Sequence, residues 1–169
     1  MYFLGIDPGY ARLGFGLVQC ETLHSNPRVV DYGVIETSSR LSEGQRLLEL
    51  EKALDGMLSR QQVTLCAIEE VFFRKNLTTG VKLLQARGVI LLTLARHNVE
   101  WAHMNPKQMK KMITGHGSAE KKQVQNMISR ILSLKEIPQP DDAADGLSFA
   151  LCAWLNYRAS ANKRQTRMV

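Results

Sequence analysis

Four acidic residues stand where an acid is locally unexpected or where its placement carries geometric information. Asp7 closes the apolar run Phe3-Leu4-Gly5-Ile6 just ahead of the tight turn Pro8-Gly9, and Glu69 closes a second run, Leu65-Cys66-Ala67-Ile68. Asp142 and Asp145 lie three residues apart just after Pro138 and Pro140, where a helix is expected to begin, so their side chains share one face. Acids at the ends of two strands and at a helix start can converge at one edge of a sheet. Several ionised carboxylates in one place repel unless a cation neutralises them. Oxygen ligands suit magnesium or manganese, and the lack of a neighbouring Cys/His cluster argues against zinc. The helix N-terminus favours the ionised form that a metal ligand must adopt. Singly, each acid has an ordinary explanation: Asp-Pro-Gly is a common turn, Glu69-Glu70 a solvated strand end, Asp141-Asp142 a helix cap. It is the set of four, in these topological places, that points to a site.

The elements that must position these acids can be read from periodicity. Phe3 to Asp7, Leu13 to Cys20 and Val29 to Glu36 read as three strands, the last two separated by the turn-rich Leu23 to Pro27. From about Ser42 the period becomes helical, with Leu47, Leu50, Leu54, Met57 and Leu58 on one side. The strand Leu65 to Glu69 leads into a second helix, on which Val81, Leu84, Gly88, Leu91 and Ala95 share a face. Most of that face is expected to pack on the sheet, with dimer contacts as the alternative use. Val99 to His103 reads as a fifth strand, and Asn105-Pro106 as an N-cap followed by proline at the first helical position. Ser118 is the expected N-cap of a helix carrying Val124, Met127, Ile128 and Ile131. The last helix runs through Trp154. Three sequential strands favour antiparallel pairing, and the later two need helical crossovers and extend the sheet in parallel. The expected fold is α/β: a mixed five-stranded sheet with helices on both faces, the ribonuclease H-like arrangement.

Composition narrows the partners. The chain has 169 residues, 44% hydrophobic and 22% charged, the profile of one globular domain. It divides into a single domain over residues 1–158 and a basic, flexible tail over 159–169. No apolar run is long enough to span a bilayer, and Cys20, Cys66 and Cys152 suit reduced core thiols in a cytoplasmic protein. The net charge of +6 favours a polyanionic partner such as nucleic acid.

The motifs together resemble the RuvC-type Holliday junction resolvases. The matching blocks are Gly5-Ile6-Asp7-Pro8-Gly9 with Gly14 and Gly16, then Ala67-Ile68-Glu69 with Val71-Phe72, then Lys82-Leu83 and Gln85-Ala86-Arg87-Gly88. Gly115-His116-Gly117-Ser118-Ala119-Glu120-Lys121 and Asp142-Ala143-Ala144-Asp145-Gly146-Leu147 complete the series, in order and with family-like spacing. The chain departs from the pattern at His116, where an apolar residue is expected, and at Gly146, where alanine is usual.

The resemblance implies that Asp7, Glu69, Asp142 and Asp145 are the catalytic and metal-binding acids, holding two magnesium ions for which manganese can substitute. It implies that Lys110 and Lys121 contact DNA beside the acids and that Phe72 stacks on a base at the junction centre. It implies an endodeoxyribonuclease acting in recombination and repair as a homodimer on four-way junction DNA, with a branch-migration motor complex as partner. Two other readings share part of the pattern. One is a ribonuclease H-like nuclease acting on RNA, against which stand the Q-A-R-G and G-x-G-S-A-E-K blocks. The other is a non-catalytic junction-binding protein, against which stands the presence of all four acids.

Overall fold

A computed structural model of the chain describes residues 1–70 and 77–166. Five strands form one sheet: β1 (Tyr2–Asp7), β2 (Arg12–Gln19), β3 (Arg28–Glu36), β4 (Val63–Glu69) and β5 (Trp101–Met104). Their order is β3-β2-β1-β4-β5. The first three pair antiparallel, while β4 runs parallel to β1 and β5 parallel to β4, as the crossovers require. Helices α1 (Glu43–Leu58) and α2 (Leu77–Arg96) are those crossover segments, and α3 (Pro106–Thr114), α4 (Lys121–Ile131) and α5 (Asp141–Thr166) follow β5. The mixed sheet with helices on both faces is thus the observed architecture. No helix among the described residues is long and apolar enough to cross a membrane.

Strand alternation divides the core in two. Leu4 and Ile6 of β1, Leu13, Phe15 and Leu17 of β2 and Cys66 and Ile68 of β4 face α1 and α2, where Leu50, Leu54, Leu58, Ala86, Ile90 and Leu94 meet them. Phe3, Val18 and Ala67 face the other way, against α3, α4 and the middle of α5. Cys20, Cys66 and Cys152 are free and buried in these two layers.

Caps set several boundaries. The Ser42 hydroxyl and the Gln45 side chain form a reciprocal capping box at the start of α1, and Asn105 caps α3 ahead of Pro106. Gly115 ends α3 with φ of 83°, a conformation that favours glycine. Helix α4 starts later than the sequence suggests: Glu120, and not Ser118, is its N-cap residue. The intervening Ala119 is buried and its N–H donates to the carbonyl of His116 at 3.2 Å, so the turn extends two residues further before the helix begins. Helix α5 continues to Thr166, well into the basic stretch at the end of the chain.

The second helix differs more from expectation. Ala86, Ile90, Thr93 and Leu94 are its buried residues, whereas Val81, Leu84 and Leu92 are 54%, 50% and 60% exposed. Leucine and valine occur on both sides of this helix, so apolar spacing alone does not identify the inward stripe; the face expected to pack on the sheet is largely the outward one.

Helix α5 is the element that crosses β1 and β2 most closely. A Cβ on Gly5 would lie 2.0 Å from the Ala150 nitrogen, one on Gly14 2.0 Å from the Asp142 carbonyl oxygen, and one on Gly16 2.5 Å from the Leu147 Cα. The contact is reciprocal, because a Cβ on Gly146 would stand 2.4 Å from the Phe15 carbonyl carbon. This close approach accounts for the glycine at 146. Gly16→Ala should cost about 1–3 kcal/mol through overpacking against backbone that cannot move alone, measured by denaturant unfolding. A loss below a few tenths of a kcal/mol would mean that α5 is free to lift from the sheet.

Candidate active site

The register of the central strands brings the two strand-end acids together. Gly5 pairs with Ala67 and Ile6 with Ile68 in the parallel ladder, so Asp7 and Glu69 are the next residues on neighbouring strands. Side chains alternate, and Asp7 therefore lies on the same face as Phe3 and Gly5, while Glu69 lies on that of Ala67. That is the α5 face. Gly14, the partner of Asp7 in the antiparallel ladder, is the residue on which the Asp142 backbone rests. The first two turns of α5 thus carry Asp142 and Asp145 over the ends of β1 and β4.

Asp7 registers this crowding. Burial, a hydrogen bond with the Glu69 side chain and the negative charges of Glu69, Asp145 and Asp142 push its carboxyl up to about 9. Burial also raises Asp145, against the opposing pull of Lys121. The outer acids are held by cations. Arg12 Nε lies 3.1 Å from Asp142 Oδ2 and its Nη1 3.6 Å from Glu36, while Lys121 Nζ lies 3.0 Å from Asp145 Oδ2 and 3.2 Å from Asp141. Asp141 is a second partner for that ammonium: Lys121 and the Gln125 amide, 3.0 Å away, keep its carboxyl below the usual range. With Asp142 and Asp145 turned to these partners, no three acids among the described residues already converge on one ion-sized position.

The donor set nonetheless suits a hard divalent cation. It offers carboxylate oxygens alone, and neither Asp7 nor Glu69 has a cation among the ion pairs of the described residues. Lys110 and Lys121 line a cavity of about 160 Å³ together with Glu69, Asp145, Met109 and Phe149, so both sequence-predicted lysines stand beside the acids. Phe72 lies outside the described residues. His116 is exposed in the α3–α4 turn, away from that cavity.

Two positioning residues escaped the sequence reading. Arg12 is one. Arg87, in the Q-A-R-G block, is the other: its Nη1 donates to the Glu69 carbonyl at 3.1 Å, and its Nη2 meets His103 Nδ1 at 2.9 Å. Burial and the adjacent guanidinium hold the His103 imidazole below its usual range, which favours the neutral form that can accept from Arg87. An arginine one helix away and a histidine one strand away thereby pin the end of β4. Only the motif match, and no local pattern, could have drawn attention to Arg87.

A sheet of this order, with acids at the ends of its two adjacent central strands and on the helix laid across them, defines a ribonuclease H-like carboxylate nuclease. The model of the family described as crossover junction endodeoxyribonuclease RuvC matches residues 3–153. Relatives of that description from Caldicellulosiruptor saccharolyticus and Alkaliphilus metalliredigens are 46% and 47% identical over 152 residues, each covering 90% of this chain and 91% or 92% of their own. Thermus thermophilus RuvC, solved in complex with a Holliday junction substrate, superposes with a TM-score of 0.88 at 32% identity, covering 95% of this chain and 96% of its own. The chain belongs to the crossover junction endodeoxyribonuclease RuvC family, whose members are metal-dependent nucleases.

The Asp7 shift has a consequence for stability. Between roughly pH 4 and 9 the folded, metal-free protein keeps a proton that the unfolded chain has released from a carboxyl of ordinary value 3.8. Folding is therefore progressively disfavoured as pH rises through that window. Thermal melts in chelator should show wild-type Tm falling from pH 5 to pH 9. Asp7→Asn should melt roughly 5 °C higher than wild type at pH 8 and about level with it at pH 5. Parallel curves for the two proteins would remove the buried Asp7 carboxyl as the cause.

Proposed function

We propose that the protein resolves Holliday junctions, nicking two strands of like polarity symmetrically across four-way DNA to leave 5′ phosphate and 3′ hydroxyl ends. What supports this reading is the meeting of Asp7 and Glu69 beneath Asp142 and Asp145, in a chain of this family. Asp7, Glu69, Asp142 and Asp145 are the residues that would hold two magnesium ions, with manganese able to substitute. When bound, the ions supply activation of the attacking water and stabilisation of the leaving 3′ oxygen. The chain's own part is to orient the acids and the phosphate. Arg87 fixes the β4 end that carries Glu69. To serve as ligands, Asp142 and Asp145 would leave Arg12 and Lys121, and the Lys121 ammonium, with Lys110 lining the same cavity, would be available to the phosphate.

Symmetric cleavage calls for two sites related as the two halves of the junction are, hence a homodimer. The exposed Val81, Leu84 and Leu92 of α2 are the surface on which we place it, since their exposure follows from the other side of the helix being committed to the core. Phe72 keeps its proposed role of stacking on a base at the junction centre. The protein is further proposed to act in the cytoplasm, handing on from a branch-migration motor, with residues 1–158 as its single domain and 159–169 as a basic tail.

Two measurements test these assignments. With magnesium, a synthetic mobile four-way junction should receive paired symmetric nicks while linear duplex and RNA–DNA hybrid stay whole. Asp7→Asn should lower the rate by at least about a thousandfold while retaining junction binding. Near-normal turnover by that variant would sink the carboxylate mechanism, and cleavage of the hybrid with the junction intact would reassign the substrate. Separately, Leu84→Glu with Leu92→Glu should convert a dimer to a folded monomer in light scattering. A dimer of undiminished stability would move the interface elsewhere.

A further inference from the structure

We infer that Tyr10, Arg46 and Lys82 form a second phosphodiester contact, on the flank of the carboxylates opposite Lys110 and Lys121. The inference rests on the DNA-cleaving reading above and extends it to how the cut strand is held. Arg46 Cζ stands 4.3 Å from the centre of the Tyr10 ring, and Lys82 Nζ stands 5.6 Å from the same centre. The two cations come from different helices, Arg46 from the first turn of α1 and Lys82 from the second turn of α2. They converge on a residue of the turn that directly follows Asp7.

The cluster is held in place by its surroundings. Arg46 Nε donates to the Thr37 hydroxyl at 2.9 Å, and that hydroxyl donates to the Tyr10 carbonyl at 2.9 Å. The Thr37 N–H donates to the Ala11 carbonyl at 3.0 Å. The turn after Asp7, the end of β3 and the start of α1 are thereby one tied unit, and Arg46 is half-buried within it, while Lys82 is exposed.

Charge argues for an anion here. Neither Arg46 nor Lys82 takes part in any of the ion pairs among the described residues. Asp142 and Asp145 have contact partners in Arg12 and Lys121, and none of the four acids is in ion-pair contact with Arg46 or Lys82. No carboxylate among the described residues is ion-paired with either cation, so a phosphate at this ring would accept from them without displacing an acid. The ligand this fits is the sugar–phosphate backbone and not a base. Tyr10 is packed along the α1/α2 core, with its ring occupied by the cations and not open for stacking. The contact is accordingly indifferent to sequence: it sets the position of the strand across the acids. With Lys110 and Lys121 on the α3/α4 side, the strand is gripped on both flanks of the scissile phosphate.

The test is a fluorescence anisotropy titration of a labelled four-way junction in chelator, over a series of salt concentrations, with wild type, Lys82→Ala, Arg46→Lys and the double variant Arg46→Gln/Lys82→Ala. Lys82→Ala should lower the slope of log affinity against log salt by about one unit, and the double variant by about two, with affinity near 150 mM salt reduced roughly tenfold or more. Arg46→Lys, which keeps the charge and alters the bond to Thr37, should retain the wild-type slope. A merely structural role for Arg46 would lower the melting temperature and leave the slope unchanged. Wild-type slopes for Lys82→Ala and for a double variant still folded at the assay temperature would overturn the contact. If wild-type protein itself fails to bind the junction, the substrate assignment falls and this inference falls with it; normal wild-type binding with unaltered variants removes the inference alone.

Discussion

At four glycines helix α5 lies directly against the backbone of β1 and β2. Gly5, Gly14 and Gly16 on the strands and Gly146 on the helix leave no room for a single Cβ. Gly5 and Gly16 face each other in the antiparallel ladder, so the two strands offer α5 a flat strip of bare backbone. The acids depend on this strip. Asp7 follows Gly5 on the same face of β1, and Asp145 immediately precedes Gly146, so contact at the glycines determines how near the two carboxylates come. Close packing also makes the arrangement stiff, since an interior at crystal-like density transmits a shift of the helix directly to the side chains it carries.

What that stiffness holds together is a set of like charges. Burial first, and then the hydrogen bond and negative charge of its neighbours, raise the Asp7 carboxyl, and the outer acids are occupied by Arg12 and Lys121. Packing along α5 thus opposes electrostatic repulsion among the acids. A metal ligand must be deprotonated and free of other partners. On the proposed reading, binding of a divalent ion by these acids would be linked to loss of the Asp7 proton and to release of Asp142 and Asp145 from Arg12 and Lys121. In that proposal the residues that neutralise the outer acids would become the ones available to a phosphate.

Much of this was legible in the sequence, and the reasons are local. The five strands, their antiparallel-then-parallel order and the helix boundaries at Ser42 and Asn105 follow from period and capping chemistry, which depend on near neighbours. Asp7 and Glu69 were recognisable because each ends an apolar run, and Asp142 and Asp145 because they share a helix face. Arg12, Arg87 and Tyr10 were not, because their roles arise from contacts across elements. Arg12 meets an acid 130 residues further on in α5, and Arg87 reaches a backbone carbonyl on β4. The inward face of α2 was misread for a related reason. A helix apolar on two sides has no single stripe, and only the neighbouring layer decides which side is buried.

On the proposed reading, that two-sided helix would join chemistry to assembly. The face of α2 carrying Ala86, Ile90 and Leu94 is buried with α1 and the sheet, and Arg87 beside it holds the Glu69 carbonyl. The opposite side presents Val81, Leu84 and Leu92, on which we place the second subunit. If α2 is the shared element, the path from one set of acids to the other runs through β4, Arg87 and two packed helices, with no loop in between. Sites carried on packed helices and strands hold their geometry better than sites carried on loops. Such a path would keep the separation of the two catalytic centres nearly constant, as paired cuts at symmetric positions require. The Lys82 side chain, one residue beyond Val81 on the same helix, would then place the proposed backbone contact at a fixed offset from the dimer axis, so that strand grip and subunit spacing are set by one rigid body.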